Sequence, residues 1–139
     1  MVTKNFLFDF VSKYKHAVLS TVTGNNLPES ALVGFIATPE MKLFFDTVDG
    51  SRKYHNLKRN PHISFVIGWD GDKTLQYEGI AKIPTGLELE KLQENYFKIF
   101  PDGIERMKTW SDIAYFVVEP KWIRYSDFGS SPIIEELKF

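Results

Sequence analysis

The chain has 139 residues, 25% of them charged, with a net charge of −1 and no cysteine. This length suits one domain with one core over residues 1–139, and the near-neutral charge excludes a whole-molecule field that attracts nucleic acid or an anionic membrane. The lack of cysteine excludes disulfides and thiolate metal sites, and the N-terminus lacks the features of a signal peptide. We therefore expect a cytoplasmic protein without nucleic-acid or membrane partners.

The hydrophobic pattern predicts three helices and seven strands, separated by Gly, Pro, Asn and Asp turns. In chain order these are a helix over 3–15, strands over 17–23, 29–38 and 43–48, a helix over 52–59, strands over 62–69 and 74–83, a helix over 85–100, and strands over 114–119 and 122–127. Thr85, with Glu88 three residues later, predicts a capping box at the start of the last helix.

Short strands that are joined mostly by hairpin turns are typical of an antiparallel barrel, whose openings the helices cover. A Rossmann domain is excluded because the strands do not alternate with long helices and the motif G-x-G-x-x-G is absent. The sequence therefore predicts a mainly β fold with added helices.

A strand end, a glycine turn and a basic helix start follow one another over residues 46–53. Backbone N–H groups at a helix N-terminus attract anions, and Arg52 and Lys53 add two full charges there. The helix dipole opposes a cation at this end by roughly 0.3–1 kcal/mol, so a pair of cations favours a bound anion such as phosphate. The alternative is a solvated basic helix that binds nothing.

The same stretch carries a resemblance to a known family. The segments that are similar to its core signature are Leu43-Phe44-Phe45-Asp46-Thr47, Gly50-Ser51-Arg52-Lys53, Asn56-Leu57 and Asn60-Pro61-His62-Ile63-Ser64. The flanking strands Pro28–Phe35 and Gln76–Ala81 extend the match to roughly residues 5–126. The chain resembles the pyridoxamine 5′-phosphate oxidase-like superfamily, in particular its short general-stress-type members. The resemblance implies an antiparallel split β-barrel that binds FMN and forms a homodimer.

For the phosphate end of FMN, the resemblance implies contacts from the basic turn. Arg52 and Lys53 would bind the phosphate, and the hydroxyls of Ser51 and Thr47 would donate to the phosphate or to the ribityl chain. Asp46 lies where the oxidases commonly have Tyr, and it is included among the cofactor-binding candidates.

For the flavin ring, the resemblance implies contacts from three other strands. The backbone around Ala31, Val33 and Gly34 would run along the ring, and Gly34 permits a close approach because it has no Cβ. Gln76 would reach the flavin edge, Trp122 would border the ring, and the second subunit would complete the pocket. The alternative for Trp122 is a hydrophobic plug in the core.

The sequence also departs from the true oxidases. Their Arg at the start of the second strand is replaced by Glu29-Ser30-Ala31, and their Arg-rich C-terminal substrate segment is absent. We therefore expect a flavin-dependent oxidoreductase that acts on an undefined small molecule, with NAD(P)H as a candidate electron donor, and not a pyridoxamine-phosphate oxidase. The alternatives are a split-barrel redox protein that binds F420 or haem, and a non-enzymatic flavin-binding stress protein. The three scattered histidines predict no metal site.

Overall fold

Four helices and eight strands build the protein, as a computed structural model of residues 1–139 describes it. In chain order they are α1 (Lys4–Val11), β1 (His16–Val22), β2 (Pro28–Gly34), β3 (Ile36–Ala37), β4 (Leu43–Val48), α2 (Arg52–Arg59), β5 (His62–Ile67), β6 (Lys73–Lys82), α3 (Gly86–Ile99), α4 (Asp102–Thr109), β7 (Ile113–Asp127) and β8 (Ile133–Lys138). None of the helices has the length and apolar composition that crossing a membrane requires.

All strands belong to one antiparallel sheet, in the order β2-β1-β5-β6-β7-β4-β3. The long strand β7 pairs with β4 along its first half and with β8 along its second half. The sheet curls around its buried face into a half-barrel, which confirms the predicted mainly β, antiparallel split barrel with added helices.

The concave face of the sheet holds the main core. Alternate residues of each strand point into it, as Leu75 and Tyr77 of β6 and Phe65 of β5 illustrate, all of them fully buried. Helix α1 adds Leu7 and Phe10 to this core. Burial of each large apolar side chain contributes roughly 1.5–3 kcal/mol, so this core is the main stabilising element of the fold.

A second, smaller core lies on the convex face of β4 and β7, beneath α3. It consists of Phe44, Leu92, Tyr96, Tyr115 and Val117. The rings of Phe44 and Tyr115 stack in parallel at 5.6 Å, and Tyr96 meets Phe44 edge-on at 5.3 Å. Both faces of β4 and of the first half of β7 are therefore buried, which explains their continuous apolar sequences.

The convex face of β1, β2, β5 and β6 carries exposed side chains, except at its end near Gly34, where Phe100 packs. Cross-strand pairing places Leu32, Val18 and Val66 side by side on it, followed by Gln76 of β6. Leu32 is 61% exposed and Val66 is 40% exposed. The name "open face" is used below for this part of the sheet.

Two predicted strand boundaries are wrong. The segments 114–119 and 122–127 form one strand, β7, which runs through Pro120 because the pairing register with β6 shifts between Glu78 and Gly79. A Cβ on Gly79 would lie 2.4 Å from the Glu119 carbonyl oxygen, so this bulge requires glycine. The predicted strand 29–38 is instead divided at Phe35 into β2 and β3.

Three further features differ from the sequence analysis. Helix α4 and strand β8 were not predicted. The capping box at Thr85 does not form, because its side chain makes no capping hydrogen bond.

Candidate functional site

The basic turn is held by hydrogen bonds around Ser51. The Ser51 hydroxyl accepts from the Tyr54 backbone N–H at 3.2 Å, which caps α2, and it lies 2.9 Å from the Thr47 hydroxyl. The helix ends at Arg59 before Asn60 and Pro61, so its predicted bounds are confirmed. The strand end and the helix start are therefore joined through two side chains that the sequence analysis assigned to the site.

Two backbone donors are free at this helix start. The N–H groups of Arg52 and Lys53 have no acceptor in the protein, as is usual in a first helical turn. The Arg52 side chain is 74% exposed and pairs with Glu29 of β2, with 2.8 Å between Nη1 and Oε2. The turn thus presents free donors beside a guanidinium that already has a partner.

Lys53 differs from Arg52 in its burial and in its lack of a partner. Its side chain is half-buried, and its ammonium makes neither a salt bridge nor a hydrogen bond in the protein. Burial, and secondarily the charge of Arg52, lower the pKa of Lys53 below its ordinary value. A cation in this position is electrostatically unsatisfied, and a bound anion would compensate it.

A small cleft of about 90 Å³ opens between the start of α2 and strands β1 and β2. Its lining residues are Leu19, Thr21, Glu29, Ser30, Ala31, Arg52 and Lys53. The structure therefore brings together three residues that the sequence analysis selected, Ala31, Arg52 and Lys53, with Ser51 at the adjoining helix start.

Two polar residues of this region were not assigned a role from the sequence. Asn56 is 3% exposed, and its Nδ2 donates to Thr21 Oγ1 and to Glu29 Oε1, each at 2.9 Å. Arg59 Nη2 donates to Asn56 Oδ1 at 3.2 Å. Asn56 belongs to the Asn-Leu pair of the family signature, but its function of orienting Glu29 depends on the packing of α2 against the sheet.

Val33 and Gly34 are placed differently from Ala31. The Val33 side chain is 6% exposed and belongs to the main core. A Cβ on Gly34 would lie 3.0 Å from two ring atoms of Phe100, so the missing side chain makes room for that ring. Flavin contacts from these two residues stay a prediction.

Asp46 links β4 to the helices that cover it. Its Oδ1 accepts from the Tyr96 hydroxyl at 3.1 Å, and its Oδ2 accepts from Arg106 Nη2 at 2.9 Å and from Nε at 3.2 Å. Burial and the nearby Asp46 carboxylate raise the pKa of Tyr96. Both oxygens of Asp46 are thus occupied within the protein, and a cofactor contact from this side chain stays a prediction.

Gln76 and Trp122 lie on the other side of the sheet. Gln76 is exposed on the open face, and neither residue lines the cleft at the basic turn. Trp122 Nε1 donates to Glu136 Oε2 at 3.1 Å, and the Arg124 guanidinium lies 5.3 Å from the Trp122 ring centre. A single chain therefore does not bring these two residues to the basic turn.

The open face carries a groove of about 500 Å³. It runs across β1, β5 and β6, and its polar lining includes Ser20, His62, Ser64, Glu78 and Lys121. The groove is adjacent to Trp122, because Glu78 and Trp122 are paired between β6 and β7.

The family model of pyridoxamine 5′-phosphate oxidase matches residues 4–127. No curated protein matches the sequence. Among solved structures, a haem-binding protein from Mycobacterium smegmatis has a similar fold, with a TM-score of 0.83, 14% identity, and coverage of 99% of this chain and 59% of that one.

Two shorter neighbours match over most of their own length. HutZ, the haem storage protein from Vibrio cholerae, has a TM-score of 0.74, 19% identity, and coverage of 83% of this chain and 87% of its own. General Stress Protein 26 from Bacillus anthracis has a TM-score of 0.68, 23% identity, and coverage of 95% of each chain. These likenesses show the fold, and the family match covers nearly all of the sequence. The chain belongs to the pyridoxamine 5′-phosphate oxidase family.

Proposed function

We propose that this protein binds FMN and acts as a flavin-dependent oxidoreductase on a small molecule. The observation that carries the proposal is the half-buried Lys53 ammonium, which has no anionic partner and lines a cleft at a helix N-terminus. A phosphate group supplies the missing negative charge, and the two free backbone N–H groups match its oxygen acceptors. The residues present therefore fit the phosphate of the family's cofactor.

In this proposal Lys53 and the first-turn amides bind the phosphate, and Arg52 adds a second, solvent-exposed charge. The hydroxyls of Ser51 and Thr47 orient the turn, since both already take part in its hydrogen bonds. FMN, when bound, supplies the hydride-transfer chemistry. No side chain is assigned as an acid or a base.

The proposal includes a homodimer. The open face exposes Leu32 and Val66 on either side of Val18, and a partner subunit that covers them would bury apolar surface. Gln76 and Trp122 flank the same surface. A second copy of the chain is thus a natural source for the half of the flavin site that the basic turn lacks.

Haem binding is a second candidate. Solved structures of similar fold include a haem-binding and a haem storage protein, and the groove on the open face contains an exposed imidazole, His62, of the kind that ligates haem iron. Haem would occupy the groove and not the small cleft at Lys53, so the two candidates predict different mutational effects. His62→Ala should abolish haem binding and leave FMN binding unchanged.

Absorbance of the purified protein, alone and after addition of each cofactor, tests the proposal. We expect flavin bands and saturable FMN binding at micromolar concentration in low salt. An intense haem band without flavin binding would favour haem, a deazaflavin spectrum would favour F420, and failure to bind FMN would refute the assignment. Reduction of the bound flavin by NAD(P)H without turnover of any acceptor would favour a non-enzymatic flavin-binding protein.

A further inference from the structure

A carboxylate lies inside the cleft that we assign to phosphate. Glu29 lines this cleft together with Arg52 and Lys53, and its Oε2 is 2.8 Å from Arg52 Nη1. The Glu29 side chain is 21% exposed, whereas that of Arg52 is 74% exposed. The carboxylate is therefore the more enclosed member of the pair, and it occupies the place where an anion would approach the guanidinium.

The position of Glu29 is set by buried contacts and not by the salt bridge. Exposed ion pairs contribute about 0–1 kcal/mol, which is too little to fix a side chain alone. Asn56, however, donates to Glu29 Oε1 at 2.9 Å from a buried position, and Thr21 and Arg59 hold the Asn56 amide in turn. Glu29 thus stays in the cleft whether or not Arg52 is paired.

The fixed position of Glu29 lowers the net positive charge that the cleft offers to an anionic ligand. Arg52 and Lys53 contribute two positive charges and Glu29 one negative charge, which leaves one net positive charge. A phosphate monoester carries a charge of about −1.5 to −2 at neutral pH. The cleft compensates only part of that charge, and the phosphate must also compete with Glu29 for the Arg52 guanidinium.

We propose that Glu29 is a specificity-determining residue that lowers the affinity of the basic turn for phosphate monoesters, without affecting ligands that lack a phosphate. The inference rests on the proposed phosphate site at Lys53. As a consequence, FMN binds reversibly and exchanges with free FMN in solution, because the Glu29 carboxylate competes with the cofactor phosphate for the Arg52 guanidinium.

Glu29→Gln tests this, because glutamine keeps an oxygen acceptor for Asn56 and removes the charge. FMN and riboflavin are titrated by flavin fluorescence, and inorganic phosphate is titrated by its effect on the melting temperature. We expect Glu29→Gln to bind FMN about ten-fold more tightly than wild type, because one negative charge next to the phosphate is removed. Its affinity for riboflavin should stay within about two-fold of the wild-type affinity. Glu40→Gln, at an exposed turn without an ion pair, is the matched control.

The outcomes separate this inference from the cofactor proposal. If wild type binds FMN and the folded Glu29→Gln variant gains neither FMN nor phosphate affinity, the inference is wrong and the flavin site stands. If neither protein binds FMN but Glu29→Gln gains phosphate affinity, the inference stands and FMN is the wrong ligand. If no variant binds either ligand, both fail. Glu29→Ser provides the same comparison should Glu29→Gln not fold.

Discussion

Replacing Lys53 by alanine should weaken FMN binding more than any other single change in the basic turn. Its ammonium is half-buried and has no partner in the protein, so a phosphate gains its full attraction without displacing a competitor. A charge-assisted hydrogen bond contributes about 1.5–3 kcal/mol, which corresponds to roughly a ten- to hundred-fold increase in the dissociation constant of FMN. Riboflavin, which has no phosphate, should bind the variant like wild type.

Arg52→Ala should have the smaller effect. Arg52 is largely exposed and already paired with Glu29, so its net contribution to phosphate binding should stay near the surface-pair range of about 0–1 kcal/mol, or at most about five-fold. Lys53→Ala should therefore lose more FMN affinity than Arg52→Ala. This order follows from the burial and pairing of the two cations, which cannot be distinguished from the sequence.

Lys58→Ala is the matched control for both variants. Lys58 is exposed in the last turn of the same helix, where a cation is favoured by the dipole and lies away from the free N–H groups. Arg59 is unsuitable, because it donates to the Asn56 that holds Glu29. The assay is titration of FMN and riboflavin by fluorescence. If Lys53→Ala loses no more FMN affinity than Lys58→Ala, phosphate does not bind at this turn.

Three further outcomes follow from particular contacts. Asp46→Asn should lower the stability by about 1.5–3 kcal/mol in chemical denaturation, because it removes the buried anion of Arg106 and leaves only the exposed Asp102 as its partner, yet FMN affinity should not change. A loss of FMN affinity in the folded variant would instead place Asp46 in the site. Lys53→Met should raise the melting temperature at neutral pH. The pKa of Lys53 in the folded protein is below the ordinary 10.5, so the unfolded chain binds more protons between these two pH values. The destabilisation caused by the Lys53 charge is therefore complete below the lowered pKa and disappears near pH 10.5. If the difference in melting temperature between Lys53→Met and wild type stays the same up to pH 10.5, this reasoning is wrong. Val66→Glu should shift the mass in light scattering from twice 16.1 kDa to 16.1 kDa, and a wild-type monomer would contradict the dimer.

Local signals explain which elements could be predicted from the sequence. The bounds of β4 and α2 agree with the prediction because a glycine and a capping serine separate them, and Asn60-Pro61 ends the helix. The family signature lies in the same segment, so the clustering of Arg52 and Lys53 with Ser51 was also predictable. Each of these features depends on residues that are close together in the chain.

Features that depend on distant residues were not predictable. A proline such as Pro120 usually ends a strand, and the sequence predicts two strands on either side of it, but the bulge opposite it in β6 allows β7 to continue. Similarly, the role of Glu29 depends on its pairing with Thr21, which puts its side chain on the concave side of β2, next to α2. The segment 28–34 has no clear alternation of apolar residues, so its sequence alone does not show which side Glu29 faces.

The predicted cofactor residues lie on opposite sides of the sheet. Arg52 and Lys53 line a cleft at the concave side of β1 and β2, whereas Gln76 and Trp122 lie on the convex side of β6 and β7. No movement of a side chain brings these pairs together, since the sheet itself lies between them. If both pairs contact one flavin, they must come from different subunits. The exposed apolar residues of the open face lie on the side where that second subunit would have to bind, so a flavin site that includes Gln76 and Trp122 requires the dimer, whereas phosphate binding at Lys53 does not.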